Sequence, residues 1–492
     1  MNIIEKINGF FSSNTLKINM NKKDFFSSVS FLFIIYFLAI ISIIRVNFSY
    51  NDDLRRAIEG NDVAGVFSRH ISKFVSYFLH TSDHVTDISP LPQLVACVFL
   101  ALAGFILVRV ICKKTNKFLL IASLPLGLSP YFLECFSYKF DAPYMALSIL
   151  AGIFPFLFMH KKTWLYSLVC IASTLVMTMT YQAASGIFIM MVVYIFFTNL
   201  NHKKIAIKNN FIFLGVSLLS YCVAIIMFRW LFMQPITLPN YVSTNMPSFG
   251  NIIPVFLQNA GKYFQYVNND FNMHWKALLL AVIIIFYIKT ILFSKINKIL
   301  SFFLSSIFLV LLFISTFGSY LILEAPFFGA RGMYAIGMFI AILCVDIGFS
   351  LKKIFSIPSI ALIWCFFVFS FSYGNALSDQ KRYNDFRTEL LLKDLSSLFP
   401  EKTNDSYKIK IIGTIGWTPV VKNVAVNNPM IYRLVPVNLR ENWAFGYFYL
   451  ATYFRFPLYK DDRLIDEAMP VVFDSYYHTI KNEGNQIVVI LK

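Results

Sequence analysis

The chain contains about eleven apolar segments separated by polar loops, and this repetition restricts it to the multi-spanning membrane proteins. A helix needs about 20 mostly apolar residues to cross a bilayer. Hydrophobic residues make up 57% of the chain and charged residues only 14%, against roughly 25% charged in an ordinary soluble domain. We therefore predict an α-helical polytopic membrane protein with about eleven transmembrane helices, at residues 26–47, 92–111, 118–133, 142–159, 164–179, 183–199, 211–233, 275–293, 299–323, 333–350 and 355–373.

The lysines between these segments indicate how the protein is oriented. They cluster at the N-terminus and in every second loop, and cytoplasmic loops of membrane proteins are enriched in Lys and Arg. We therefore expect a cytoplasmic N-terminus and a C-terminus on the opposite side, with outer loops at 48–91, 134–141, 180–182, 234–274 and 324–332. This distribution also accounts for the net charge of +17 without a nucleic-acid partner.

Three regions follow from the pattern. Residues 1–25 form a cytoplasmic N-terminal segment, residues 26–373 the transmembrane region, and residues 374–492 a small α/β domain outside the membrane. In this last region we expect a helix over 376–398, from its apolar spacing, and two strands, 407–412 and 486–491, from their β-branched residues. Trp417 and Trp443 are expected in the core of this domain, with stacking on sugar rings as the alternative.

The sequence gives little reason to expect a metal or another cofactor. The seven cysteines lie in or beside apolar segments without a CxxC pair, and the histidines of the first outer loop are interpreted as solvated or hydrogen-bonding. The chain also lacks the GxGxxG and GxxxxGK[ST] motifs of nucleotide-binding domains. A sugar transferase with its site outside the cytoplasm would instead need a lipid-linked donor.

The strongest candidates for chemistry lie in the first outer loop. Asp52 and Asp53 precede Arg55 and Arg56, so a short helix would place carboxylates and guanidinium groups on one face. A carboxylate can accept a proton from a sugar hydroxyl while arginines bind phosphate oxygens. The alternative is a set of salt bridges within the helix, worth only a few tenths of a kcal/mol for each exposed pair.

Other outer loops carry further candidates. Lys139 and Asp141 lie between apolar segments, where charges are expensive unless they face a polar cavity; the alternative is a pair that only closes the turn. Arg331 is flanked by glycines and suits bidentate phosphate binding, or it reaches the lipid headgroups. Gln182 follows Tyr181 between two apolar segments and could line a sugar site.

Together these stretches resemble a known family, the Gtr-type (GtrII-like) serotype-converting glucosyltransferases of bacterial O-antigen. The resemblance covers roughly residues 30–350 and extends only weakly into the C-terminal region. It rests on four stretches: 50–60 with the sequence YNDDLRRAIEG, 87–93 with DISPLPQ, 137–148 with SYKFDAPYMALS, and 180–184 with TYQAA.

The resemblance implies a GT-C type enzyme of the bacterial inner membrane that works in the periplasm. Such an enzyme transfers glucose from undecaprenyl-phosphate-glucose to a sugar of the O-antigen repeat of lipopolysaccharide. Its partners would be the lipid bilayer, a flippase for the donor and a glucosyltransferase that makes the donor. Asp52 or Asp53 would be the base, with a preference for Asp52, and substrate-binding residues would come from the set Arg55, Arg56, Lys139, Asp141, Gln182 and Arg331.

Two other classes of membrane protein stay open at this point. A transporter or flippase of a lipid-linked saccharide would also have many helices, although its polar groups would gather at broken helices in mid-membrane. An O-antigen polymerase or an acyltransferase would be of similar size. An acyltransferase would need a His paired with a carboxylate in the membrane, and the sequence does not show one.

Overall fold

The computed structural model describes residues 22–61, 66–234, 245–399, 407–453, 458–461, 463 and 469–492. Within these ranges the protein is a helix bundle followed by a small mixed domain. The helices up to residue 227 are α1 (Lys22–Val46), α2 (Asp53–Glu59), α3 (His70–His80), α4 (Leu91–Cys112), α5 (Lys117–Ala122), α6 (Pro125–Leu128), α7 (Pro130–Ser137), α8 (Ala142–Ile153), α9 (Thr163–Thr180), α10 (Ser185–Asn201) and α11 (Ile207–Met227).

The remaining elements complete the bundle and build the C-terminal domain. The helices are α12 (Ile252–Asp270), α13 (Met273–Leu292), α14 (Lys298–Ser315), α15 (Ile336–Ser350), α16 (Ile357–Leu398), α17 (Pro419–Asn427), α18 (Ile431–Leu434) and α19 (Ala444–Tyr453). The strands are β1 (Tyr407–Ile412), β2 (Leu458–Lys460), β3 (Val471–Asp474), β4 (His478–Glu483) and β5 (Gln486–Leu491).

In the described part of the chain, eight helices are long and apolar enough to cross a membrane: α1, α4, α9, α10, α11, α13, α14 and α16. They coincide with eight of the eleven predicted segments. The bent series α5–α7 would be a ninth span, and α8 and α15 are apolar but shorter. The protein is thus a multi-spanning membrane protein, while the number eleven stays a prediction.

Two prolines explain why the third predicted segment is not a straight helix. Proline lacks an N–H and fits only the first turn of a helix; Pro125 opens α6 and Pro130 opens α7. The axis consequently bends by 62° between Lys117–Leu128 and Pro130–Ser137. Beyond this bend, α7 carries Glu134 to the region where the loops that follow α1 and α14 meet.

The C-terminal domain is built on a five-stranded mixed sheet in the order β2–β1–β5–β4–β3. Strand β5 is parallel to β1 and antiparallel to β4. Both predicted strands, 407–412 and 486–491, are confirmed. Buried side chains such as Ile409, Leu450, Ile480 and Val489 form a core separate from that of the helix bundle.

Helix α16 joins the two parts without a break. It is 42 residues long, and the helical spacing predicted over 376–398 is the second half of the same helix that begins at Ile357. Its polar end is tied to the domain: Gln380 Nε2 donates to the Gly416 carbonyl over 3.1 Å and Arg387 Nη2 donates to the Tyr477 carbonyl over 2.6 Å. The boundary predicted at residue 374 therefore lies inside a continuous helix.

Candidate active site

The loops that follow α1, α7 and α14 meet the C-terminal domain on one side of the bundle. The chain leaves α1 at Val46 and re-enters a short helix at Asp53. That helix, α2, ends at Gly60, whose φ of +67° favours glycine. A Cβ at Gly60 would lie 1.8 Å from the His84 ring, so the turn also needs glycine for space. This turn fixes the position of the two aspartates that open the helix.

The neighbouring carboxylates Asp52 and Asp53 have different environments. Asp53 is 1% exposed, and its Oδ2 accepts hydrogen bonds from the backbone N–H groups of Tyr50, over 3.1 Å, and Lys139, over 3.0 Å. Burial and the nearby Asp52 charge raise the pKa of Asp53 well above its usual value. Through Oδ2, Asp53 therefore joins the loop after α1 to the loop after α7. Its Oδ1 has no hydrogen-bond partner among the described residues, but Asp53 does not line the polar cavity described below.

Asp52 instead faces a cavity. Its Oδ2 accepts from Arg56 Nη2 over 3.1 Å, one turn along the helix, and its side chain is 22% exposed. Its Oδ1 has no hydrogen-bond partner among the described residues. The cavity has a volume of about 200 Å³. A carboxylate with one oxygen held by a guanidinium and the other free is suited to accept a proton from a bound hydroxyl.

Arg56 and Asp141 form the central ion pair of these loops. Arg56 Nη1 donates to Asp141 Oδ1 over 2.6 Å, and both side chains are buried. Burial opposes ionisation of Asp141, but the charges of Arg56, and further away of Arg69 and Arg331, outweigh it, so the pKa of Asp141 is lowered. Arg56 thus contacts two carboxylates, those of Asp52 and Asp141, and these balance its positive charge within the protein.

Two other predicted phosphate ligands are also engaged. Lys139 is buried, and its Nζ lies 2.9 Å from Asp87 Oδ2. Arg55 is exposed, with its Nε 2.8 Å from Glu59 Oε2 and its guanidinium 5.4 Å from the centre of the Phe448 ring. Neither side chain lines the cavity that contains Asp52.

The Arg331 guanidinium is held mainly by contacts with aromatic rings. Its guanidinium lies 4.4 Å from the centre of the Tyr138 ring and 5.4 Å from that of Phe327. Its backbone N–H donates to Glu134, whose other oxygen lies 3.3 Å from the Tyr50 hydroxyl. In the described ranges its guanidinium makes no hydrogen bond or ion pair within the protein. Arg331 is thus a partly buried cation whose guanidinium N–H groups can still donate to a ligand.

Arg331 also separates two cavities. The polar cavity, of about 200 Å³, is lined by Tyr50, Asn51, Asp52, Glu134, Tyr138, Phe327, Arg331, Trp417, Tyr432, Arg433, Val435, Pro436, Arg440, Trp443 and Phe445. The apolar cavity has a volume of about 240 Å³ and is lined mostly by apolar surface. Polar side chains are also present in its lining, among them Arg69, Gln182, Arg229 and Arg331. Among the described residues only Phe327 and Arg331 line both.

Gln182 lies at the wall of the apolar cavity. Its Nε2 donates to the Phe67 carbonyl over 3.1 Å, and its Oε1 accepts from Arg69 Nε over 3.4 Å. The Arg69 guanidinium also lies 4.3 Å from the centre of the Tyr181 ring. The structure therefore places Asp52 and Arg331 at one cavity and Gln182 and Arg331 at the other.

Some residues of these cavities were not among the predicted site residues. Arg69 and Glu134 stand out in the sequence as charged residues of the predicted outer loops, but no role was assigned to them. Arg433 forms an ion pair with Asp270 and donates to the Phe328 carbonyl, a contact between distant segments that leaves no local signal. Within the described ranges, no group of three His, Cys, Asp or Glu side chains is placed to hold a metal ion.

These features define a class: a multi-spanning membrane protein with a carboxylate-bearing polar cavity beside an arginine-lined apolar one. The chain belongs to the GtrII glucosyl transferase family, whose model matches residues 41–342. Over 449 residues it is 24% identical to a Salmonella phage P22 protein described as "Uncharacterized 55.3 kDa protein in gtrB 5'region", covering 88% of this chain and 90% of the relative. No solved structure matches the chain significantly.

Proposed function

We propose that the protein transfers a glucosyl group from undecaprenyl-phosphate-glucose to a sugar of the O-antigen repeat, on the periplasmic face of the bacterial inner membrane. The observation that carries this proposal is the position of Arg331 between the two cavities. A transferase needs an apolar place for a lipid, a cation for its phosphate and a base beside the acceptor, and here the three adjoin.

The apolar cavity is the proposed donor site. Its apolar lining suits a polyprenyl chain, while Arg69, Arg229 and Arg331 supply guanidinium groups. Arginine binds phosphate through paired hydrogen bonds, and Arg331 retains its donors for this role. Gln182, hydrogen-bonded to Arg69, keeps that guanidinium in place.

Asp52 is the proposed base. Its free Oδ1 takes the proton from an acceptor hydroxyl, the hydroxyl oxygen forms a bond to the anomeric carbon, and the bond from that carbon to the phosphate oxygen breaks. The electron pair of the broken bond leaves on the lipid phosphate, whose charge Arg331 stabilises. Arg56 holds the other oxygen of Asp52 over 3.1 Å, while Asp53 and the pair of Arg56 and Asp141 connect the loop after α1 to the loop after α7.

The lysine-rich loops support the proposed orientation, because cytoplasmic loops are enriched in Lys and Arg and the outer loops and the C-terminal domain would then face the periplasm. Family membership supports glucose as the sugar transferred. On this proposal the partners are the lipid bilayer, a flippase that delivers the donor and a cytoplasmic-side glucosyltransferase that makes it. The proposal requires no nucleotide and no cofactor.

The test is mass spectrometry of O-antigen repeats from a strain that carries the donor-making enzyme and the flippase. Intact protein should add one hexose per repeat. Asp52→Asn should abolish the addition while the variant reaches the membrane at normal levels. Asp53→Ala should instead lower the amount of folded protein, because it removes the oxygen that accepts two backbone hydrogen bonds.

The control is Asp83→Asn, an exposed aspartate of the same outer loop, which should leave the hexose in place. A hexose that persists in Asp52→Asn would reject Asp52 as the base but keep the transferase. An intact protein that adds nothing in this host would reject the transferase and favour the transport of a lipid-linked saccharide.

A further inference from the structure

The lining of the polar cavity comes from two parts of the chain. Asn51, Asp52, Glu134 and Arg331 belong to the stretch shared with the GtrII family, residues 41–342. The opposite wall comes from the C-terminal domain, beyond that stretch, and contains Trp417, Tyr432, Arg433, Arg440, Trp443 and Phe445. Asp52 and Arg331 therefore lie in the region that the family model matches, and the wall that faces them lies outside that region.

The wall formed by Asn51, Asp52, Glu134 and Arg331 presents hydrogen-bond acceptors. Asn51 Oδ1 and Asp52 Oδ1 are both buried and have no partner among the described residues. The Asn51 amide is oriented by its other end, since Nδ2 donates to the Tyr138 hydroxyl over 2.6 Å. A buried acceptor without a partner costs about 1–3 kcal/mol, so a ligand that donates to these oxygens recovers that loss.

The C-terminal wall presents donors. The Arg440 guanidinium lies 3.9 Å from the centre of a Trp443 ring, and in the described ranges it makes no hydrogen bond or ion pair. Trp443 Nε1 is buried and likewise lacks an acceptor among the described residues. Arg440 is positioned by its backbone, which pairs with Thr414 in an isolated antiparallel bridge.

Arg433, the other arginine of this wall, already has partners within the protein. Arg433 is paired with Asp270 and donates to the Phe328 carbonyl, so it fastens the wall to the helix bundle. Trp417 Nε1 is satisfied as well, because it donates to the Val435 carbonyl over 3.0 Å. Arg440 and Trp443 are therefore two groups of the C-terminal wall that retain donors for a ligand in the described part of the chain.

We propose that the acceptor saccharide binds between these two walls and that Arg440 and Trp443 select which acceptor sugar is glucosylated. This inference rests on the proposed function. A sugar hydroxyl both donates and accepts, so one ring can donate to Asn51 and Asp52 and accept from Arg440 and Trp443. The hydroxyl that donates to Asp52 is the nucleophile, and the oxygens that accept from the C-terminal wall fix which hydroxyl reaches that position.

The experiment measures initial rates of glucose transfer by purified protein in lipid nanodiscs. The acceptor is the oligosaccharide released by mild acid from the lipopolysaccharide of an unmodified strain. Arg440→Gln removes the guanidinium, and Trp443→Phe keeps a ring but removes the N–H. Lys422→Gln, on an exposed side of the same domain, is the charge-matched control.

Each cavity variant should raise the acceptor KM about tenfold, the size expected for a lost hydrogen bond in a buried site. The donor KM and the slow hydrolysis of donor by water should stay at the intact level, and Lys422→Gln should match intact protein throughout. An unchanged acceptor KM in both variants overturns the inference.

Two further outcomes can be distinguished from an unchanged acceptor KM. An equal loss of transfer and of donor hydrolysis means that the two residues support the fold or the donor site, which also overturns the inference. Intact protein that binds donor but transfers nothing to the saccharide overturns the proposed function itself, and the acceptor subsite with it.

Discussion

Arg56 Nη1 lies 2.6 Å from Asp141 Oδ1, a buried contact between two loops that are 85 residues apart in the chain. Breaking a buried pair by removing one partner typically costs about 3–5 kcal/mol, and the loss here should be smaller because Arg56 keeps its contact with Asp52. We expect Asp141→Asn to lower the thermal unfolding midpoint markedly, measured by tryptophan fluorescence in detergent. The exposed Asp83→Asn is the control. Equal midpoints for the two variants would show that the pair does not hold the loops together.

Arg331 should matter for the donor more than for the fold. Arg331→Lys keeps the charge but loses the planar fork that binds a phosphate bidentately. We expect a lower kcat and a higher KM for undecaprenyl-phosphate-glucose, with Arg331→Gln worse than Arg331→Lys by about tenfold or more. Arg382→Gln, an exposed arginine of α16, should behave as intact protein. Donor kinetics unchanged in both Arg331 variants would place the phosphate elsewhere.

The pair of Asp87 and Lys139 predicts a pH dependence of stability. Burial opposes ionisation of Asp87, but the hydrogen bond from Lys139 outweighs it, so the pKa of Asp87 is lowered in the folded protein. Its stabilisation is therefore complete above the ordinary aspartate pKa of about 3.9 and is lost as the pH falls through the lower folded value. Asp87→Asn should lower the unfolding midpoint at pH 7, and the difference from intact protein should shrink below about pH 4. A constant difference over this range would contradict the assignment.

Close packing between two spans depends on Gly186. A Cβ there would lie 1.7 Å from the Ser315 carbonyl oxygen, so Gly186→Ala forces α10 away from the end of α14. Overpacking of this kind costs about 1–3 kcal/mol. Gly215, in α11, has nothing within 4 Å of its Cβ position, and Gly215→Ala should be neutral or stabilising. Thermal unfolding of both variants measures the contrast, and equal effects would contradict it.

The proposed orientation is tested by labelling with a membrane-impermeant maleimide. Tyr476 is 86% exposed in the C-terminal domain, and Lys161 is exposed in a lysine-rich loop. Tyr476→Cys should react in cells with a permeabilised outer membrane, whereas Lys161→Cys should react only after the inner membrane is opened. The reverse labelling pattern would show that the protein has the opposite orientation in the membrane.

The repeated features of the sequence predicted the fold best. Hydropathy located helices at all eleven predicted segments, and the β-branched runs at 407–412 and 486–491 proved to be β1 and β5. Strands β2 and β3 have only three and four residues. In so short a stretch, the alternation of polar and apolar residues typical of a strand cannot be recognised. The bend at Pro130 and the length of α16 were not predicted either. Hydropathy indicates which residues are buried in lipid but does not indicate whether a helix continues without a break.

The candidate site was predictable as a region but not as a set of contacts. The spacing of Asp52 and Arg56 anticipates their pairing within one helix. The contacts of Asp53 with Lys139 and of Arg331 with Tyr138 cross between loops, and local spacing carries no information about them. For the same reason the sequence could not separate Asp52, which faces the polar cavity, from Asp53, which is enclosed by backbone N–H groups.

The unbroken course of α16 has a mechanical consequence. At 1.5 Å per residue its 42 residues span about 63 Å, roughly twice the thickness of the hydrocarbon core of a bilayer. Such a helix acts as a stiff stalk, and Gln380 and Arg387 clamp the C-terminal sheet to its outer end. A thinner or thicker membrane changes the tilt of a spanning helix, and the sheet must follow that tilt. On the proposed function, we therefore expect lipid composition to change the rate of transfer through the height and angle at which one wall of the polar cavity is held.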